Sequence, residues 1–277
     1  TSLNDTWNLG WKLAHVLTGR AKESLLRTYS EERQQVAQTL IDFDRDFSKM
    51  FSMKPKSKEN PEGVDPAEFQ KYFQLSGRFT AGVATQYQQS MITAANDFQD
   101  LAKGQIIGKR FHSAQVIRHA DAKPFQLGHC ITANGAWRIF AFAGKAKPMS
   151  SECGILKLAE FLSLNQQSPL NRFTPKDSEI DSVIDFSFVF QSPHRELERG
   201  TLHPLLTPKK GKYGLRDYEK VFCVDSRSGN IYEKRGINKD VGCLIIVRPD
   251  QYVSQVLPLA NFDLLTEFFE KILCPAS

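Results

Sequence analysis

The sequence predicts an α+β protein in two parts, a helical N-terminal segment followed by an α/β sandwich, and three observations carry that reading. From Ser2 to about Phe51 apolar residues recur every three or four positions, the repeat of amphipathic helices. Beyond Gly108 the texture changes to short runs rich in Val, Ile and Phe, bounded by Gly, Pro, Asp or Asn, which is how strands read. Helical stretches punctuate those runs, so strands and helices belong to one layered unit. The chain has 277 residues, 41% apolar and 24% charged, the balance of a folded protein with room for one large or two ordinary domains.

In the first part, Leu3, Trp7, Trp11, Ala14 and Leu17 predict a helix with both indoles on its inward face, ending at Gly19. Ser2 and Asp5 are placed to cap its start. A second helix follows with Leu25, Leu26, Tyr29, Val36, Leu40, Phe43 and Phe47 as its stripe, and Glu31, Glu32 and Arg33 on an exposed face. "SMKPKSKENPEGVDP" reads as a loop, "PAEFQKYFQLSGRFTAGVA" as a third helix, and Tyr87 to Gly108 as a polar linker. The division predicted is residues 1–104 and 105–277.

In the second part, "SAQVIR", "WRIFAFAG", "VIDFSFVFQ", "KVFCVD", "GCLIIVRP" and "YVSQVLPL" read as strands, with "VDSRSGNIYEKRGI" as a hairpin. "SSECGILKLAEFLSL" and "NFDLLTEFFEKIL" read as helices. This order suggests a thioredoxin-like α/β sandwich. A thioredoxin carries a reactive CxxC after its first core strand, where this chain has "KAKPMSSECG" with Cys153 alone. Dithiol exchange needs a second nearby sulfur, so thioredoxin chemistry is disfavoured. Arg248 and Asp250 in "VRPDQYV" are read as shaping a surface turn, and His194 and His203 as flanking a solvated loop.

Composition excludes several classes of function. Five cysteines without close spacing argue against a disulfide framework, and no His or Cys spacing suits a metal. The +5 charge is spread out, and its densest pieces, Lys54, Lys56 and Lys58 and then Lys209, Lys210 and Lys212, sit in Pro- or Gly-containing loops. Neither nucleic acid nor membrane is expected as a partner, and a cytoplasmic location is the simplest reading.

Two stretches are more specific. "NLGWKL" at Asn8–Leu13 with "YSEER" at Tyr29–Arg33, and "RPDQYV" at Arg248–Val253 near the other end, resemble single-component FAD-dependent aromatic hydroxylases of the fungal phenol 2-monooxygenase and 3-hydroxybenzoate 4-monooxygenase type. The resemblance extends over nearly the whole chain and includes the thioredoxin-like C-terminal dimerisation domain of the phenol hydroxylase branch. It implies the C-terminal portion of an enzyme that uses FAD and NADPH to insert one oxygen atom from O₂ into a phenolic substrate, and that forms a homodimer through that domain. No GxGxxG phosphate-binding turn occurs in the sequence. The resemblance places no catalytic residue in this chain, and only Thr1 and Ser2, at the amino end of the first helix, are expected near the flavin. The isolated chain is therefore expected neither to retain FAD nor to turn over. The alternative is a free-standing thioredoxin-like homodimerisation module without catalysis.

Overall fold

The computed structural model describes residues 2–56 and 60–276, with Thr1, Lys58 and Ser277 among those outside it. Helix α1, Ser2–Leu17, ends where Gly19 takes a left-handed φ of +71°, the conformation that closes helices at least cost in glycine. A 3₁₀ turn at Glu23–Leu26 leads into α2, Arg27–Ser52. Helix α3, Pro66–Thr80, starts as its sequence demands: Pro66 fits the first turn and the Asp65 carboxylate accepts from the Ala67 amide at 2.8 Å. The distal part of α2 packs on α3 through rings, with Phe43 stacked on Tyr72 at 4.8 Å and Phe51 against Phe69 at 5.4 Å. Single faces of these two helices are covered; Phe73 and Ile41 remain exposed.

The main sheet has seven strands: β1 (Gln115–Arg118), β2 (Pro124–Gln126), β3 (Trp137–Phe142), β4 (Ile184–Phe190), β7 (Val221–Val224), β8 (Cys243–Val247) and β9 (Val253–Leu257). Strands β5 (Lys209–Lys210) and β6 (Leu215–Arg216) form a separate short ribbon. The main order is β2-β1-β7-β4-β3-β8-β9, parallel between β3 and β4 and between β4 and β7, antiparallel elsewhere. Helices α4 (Gly154–Leu164), α5 (Pro169–Phe173) and α7 (Phe262–Ile272) cover one face, and α6 (Ile231–Lys234) lies on the other. Every residue of β3, β4 and β8 is buried, as the uninterrupted apolar runs of a sheet covered on both faces require. Trp137, Ile139, Phe186 and Phe188 point into the α4 and α7 core, while Phe140, Phe142, Val189 and Ile245 fill the opposite one.

Three expectations need correction here. The segment Tyr87–Gly108 is not a loose linker: Tyr87, Ile92, Ala102, Gln105 and Ile107 are buried, and the Gln105 side chain bonds both the amide and the carbonyl of His112. The stretch "VDSRSGNIYEKRGI" is not a hairpin. Asn230 caps α6 by accepting from the Tyr232 amide, and the Asp225 carboxylate ends β7 by accepting from the Arg227 amide and Ser228 hydroxyl. Finally, Trp11 is buried but Trp7 is 39% exposed, because the inward stripe of α1 runs through Asn8, Trp11, Lys12 and His15.

The turn into β8 depends on a glycine. Gly242 has φ +68°, and a Cβ there would lie 2.1 Å from the Phe142 carbonyl oxygen, part of the sheet backbone. Gly242→Ala is expected to cost at least about 2 kcal/mol, through left-handed strain and a clash that no side chain can relieve. Urea unfolding followed by circular dichroism measures it.

Candidate functional site

Asn8 and Lys12 lie one helical turn apart on the inward face of α1, so both side chains meet whatever packs there. What packs there is Glu32 of α2, whose Oε2 accepts from Asn8 Nδ2 at 2.7 Å and Lys12 Nζ at 2.9 Å. Lys12 Nζ also donates to Asn8 Oδ1 at 2.8 Å. The second cation on Glu32 comes from the far end of the sequence. Strand β8 ends at Val247, and the connection to β9 turns at Gln251, with φ +74°. That turn carries Arg248 into the same pocket, where its guanidinium forks onto both oxygens of Glu32, Nη2 at 2.9 Å from Oε2 and Nη1 bonding Oε1. Arg248 Nε and Nη2 also donate to the Asp250 carboxylate at 2.9 and 2.6 Å.

Around this centre, Arg33 Nε bonds Asp5 Oδ1 at 2.5 Å and Arg33 Nη1 bonds the Tyr87 hydroxyl at 3.2 Å. The rings of Trp11, Tyr87 and Tyr252 surround the Arg248 guanidinium, Tyr87 closest at 5.0 Å, a cation–π setting. Three cations, Lys12, Arg33 and Arg248, face three carboxylates, Asp5, Glu32 and Asp250. Arg248, Lys12, Asp250 and Glu32 are all buried.

The electrostatics follow the geometry. Burial pushes the Glu32 carboxyl up, but Arg248 and Lys12 outweigh it and hold it well below its usual range. Burial and the Arg248 charge together push the Lys12 ammonium down, against the pull of Glu32. Burial raises the Tyr87 phenol, so it stays protonated and can donate. The cluster is an internally satisfied lattice of charges, suited to fixing elements against one another rather than to moving protons.

Two readings of the sequence are overturned at this site. Glu32 and Arg33 are not on a solvated helical face, and Arg248 with Asp250 does not form a surface turn. The cue was present: Asn8, Lys12 and His15 share the face of the buried Trp11, and Arg248 directly follows the buried run "CLIIV". Charges placed inside apolar periodicity need partners, but the partner 216 positions away is invisible to periodicity.

Ser2, expected near a cofactor, opens α1 with its side chain exposed, and its carbonyl accepts from the Thr6 hydroxyl at 3.1 Å. Thr1 lies outside the described residues. Asp5 does not cap the helix; it pairs with Arg33. A crevice of about 890 Å³ opens at the carboxyl ends of β3 and β4 between Lys145, Lys147, Met149, Gln191 and Glu196. Cys153 is buried beside that region, and all five thiols are free. No group of metal-ligating side chains occurs among the described residues, and no described helix is long and apolar enough to cross a membrane.

Residues 85–277 match the family described as phenol hydroxylase, C-terminal dimerisation domain. The chain belongs to that family. Residues 1–44 match an FAD binding domain, so the ionic cluster joins the two matched stretches: Asn8, Lys12, Glu32 and Arg33 lie in residues 1–44, and Tyr87, Arg248 and Asp250 in residues 85–277. Among curated relatives, 3-hydroxybenzoate 4-monooxygenase of Comamonas testosteroni is 51% identical over 98% of this chain and 43% of its own length. The FAD-dependent monooxygenase terD of Aspergillus terreus is 36% identical, over 98% of this chain and 45% of its own length. This chain thus spans less than half the length of these relatives. Of solved structures, a ternary complex of aklavinone-11 hydroxylase with FAD and aklavinone aligns with TM-score 0.51 at 18% identity, covering 98% of this chain and 39% of that one. OxyS anhydrotetracycline hydroxylase from Streptomyces rimosus aligns with TM-score 0.52 at 15% identity, covering 99% and 40%. At these identities the structural likeness speaks to the fold.

Proposed function

We propose that this chain is the C-terminal portion of an FAD-dependent aromatic hydroxylase that consumes NADPH and transfers one oxygen atom from O₂ to a phenolic substrate, acting in the cytoplasm without nucleic acid or membrane as partner. The observation that carries the proposal is the buried ionic cluster, which welds a segment matching an FAD binding domain to a dimerisation domain. An isolated assembly module has no need of the first, and the 51% identity to a 3-hydroxybenzoate 4-monooxygenase runs through both. The working division is residues 1–104 and 105–277, with the end of the first part laid along the sheet of the second.

The second part is read as a thioredoxin-like homodimerisation domain. The order β4-β3-β8-β9 supports this, with β3 and β4 parallel, β8 and β9 antiparallel, and α4 and α7 packed on one face. With Cys153 as the lone thiol between β3 and α4, redox use of that fold is not part of the proposal.

Among the described residues, the amino end of α1 is where we place the contact of this chain with FAD. The first-turn amides of a helix lack intrahelical acceptors and carry partial positive charge, Leu3 beside them is 85% exposed, and the nearest carboxylate, Asp5, is drawn away by Arg33. When bound, the flavin supplies the acceptance of reducing equivalents and the activation of O₂. The role of this chain is to hold α1, which opens at Ser2, where those amides favour electron density on the ring, with Thr1 and Ser2 the residues proposed near the flavin. The catalytic groups that act on the phenol belong to the rest of the enzyme, so the chain by itself neither retains FAD nor turns over.

Three measurements test the proposal. Sedimentation at protein concentrations on the order of tens of micromolar should give a dimer, and the chain dialysed after incubation with FAD should be colourless. The protein containing this chain and an upstream FAD region should retain a flavin spectrum and oxidise NADPH in response to a phenol. A strict monomer overturns the assembly role; a dimer whose whole protein holds no flavin leaves the free-standing module.

A further inference from the structure

A buried ion pair is weakly stabilising compared with an apolar core of the same shape, because desolvation offsets much of its Coulomb energy. What it provides in exchange is orientation. The Arg248 fork on Glu32 constrains distance and rotation together, and Lys12 and Asn8 tie the same carboxylate back to α1. Asp250 holds the guanidinium from the β8–β9 connection, while Tyr87 reaches both Asn8, at 3.3 Å, and Arg33. Four separate pieces of chain converge on one carboxylate and one guanidinium: α1, α2, the Tyr87 segment and the β8–β9 turn. The carboxyl half of α1 has ties of its own to the sheet domain: Trp11 packs edge to face on Trp137 with centroids 5.6 Å apart, His15 Nε2 lies 2.6 Å from Gly135 O, and just past the helix Lys22 N–H donates to Ile272 O and Cys274 N–H to Arg20 O, at 3.0 and 2.9 Å. Those contacts hold the carboxyl half of α1, while Asn8 and Asp5 in its amino half engage Glu32 and Arg33 of the ionic cluster.

We propose that Arg248 is a positioning residue for FAD: through Glu32 it sets the angle of the amino half of α1, so that the cofactor-binding segment takes its orientation from the dimerisation domain. This rests on the reading that the whole protein binds FAD. The coupling is reciprocal, so FAD binding in turn tightens the seating of α1 on the β8–β9 turn. Lysine cannot replace arginine here, because an ammonium keeps the charge but not the planar fork.

The test uses the whole FAD-binding protein with Arg248→Lys, Glu32→Gln and the double variant. Flavin fluorescence is titrated at a temperature where far-ultraviolet circular dichroism matches the wild type. Each single variant should bind FAD roughly tenfold more weakly while remaining dimeric, and the double variant should be no worse than either single, since one shared contact is lost. Unchanged FAD affinity in folded Arg248→Lys and Glu32→Gln overturns the proposal. If the variants do not fold, hydrogen exchange on the wild-type 277-residue chain decides. Amides in the amino half of α1 should open together with the β8–β9 turn, and exchange at fraying rates beside a protected β8 overturns the proposal. A wild-type whole protein that binds no FAD instead overturns the functional reading, and is told apart because the exchange result still reports on the contact itself.

Discussion

Arg248→Met in this chain should cost about 3–5 kcal/mol and lower the melting temperature by roughly 10 °C. The side chain is removed from a site where it is fully enclosed, and its loss is asymmetric. Glu32 keeps Lys12 and Asn8, but Asp250 loses both of its short bonds and is left buried against Asn8 Nδ2 at 3.5 Å. Most of the cost is that stranded carboxylate. The double variant Arg248→Met with Asp250→Leu should therefore recover a substantial part of the loss, which thermal melts of the two variants would show. Equal stability of the single and double variants would mean that Asp250 is not the seat of the penalty.

The same variant should change how stability depends on pH. Glu32 in the folded protein titrates below its ordinary value of 4.5, so the unfolded chain binds more protons than the folded one as acid is added. The sign follows: the contribution is fully present above the ordinary value and is lost as pH falls through the lower folded value. In Arg248→Met the largest of the charges that hold Glu32 down is gone, so its acid-dependent contribution shrinks. The gap in stability between wild type and variant should accordingly narrow as pH is lowered from 4.5, and denaturant midpoints across that range measure it.

The strands and helices were legible because each has a period that local residues set. Phe186, Phe188 and Phe190 within "IDFSFVF", or Leu265, Phe268, Phe269 and Ile272 on α7, declare their burial within one segment. The ends marked by specific chemistry were legible too, as Gly19 and the Asp65–Pro66 pair illustrate. The stretch taken for a hairpin was misread because α6 is only four residues long, too short for a helical period to register, and its start rests on one asparagine cap. The ionic cluster was misread for a different reason. On a helix, Glu31, Glu32 and Arg33 look like an exposed charged turn unless a partner is known, and the partner of Glu32 sits on a strand end. The stretches "NLGWKL", "YSEER" and "RPDQYV", singled out separately for their resemblance, turn out to be one site: each supplies a charged member to the same buried contact. What no single segment contained was their meeting.

Trp137→Ala should be comparably damaging for the opposite physical reason, with a cost of about 3–5 kcal/mol. Trp137 opens β3 with no exposed surface, and its ring meets Trp11 of α1 and Phe268 and Phe269 of α7 edge to face, with centroids 5.6, 5.8 and 5.6 Å away. Truncation removes apolar burial, three aromatic contacts and the wall against which α1 rests, and opens a void that the sheet backbone cannot close. The indole N–H has no hydrogen-bond partner among the described residues, so the loss is one of packing. Its pH dependence should therefore differ from that of Arg248→Met: the deficit of Trp137→Ala should stay constant from neutral pH down through 4.5, while that of Arg248→Met narrows. Parallel denaturant titrations of the two variants separate the apolar and ionic halves of the contact that seats α1 on the sheet domain. A Trp137→Ala deficit that also narrowed with acid would mean that the ionic cluster leans on this ring for its geometry, and that the two halves act as one unit.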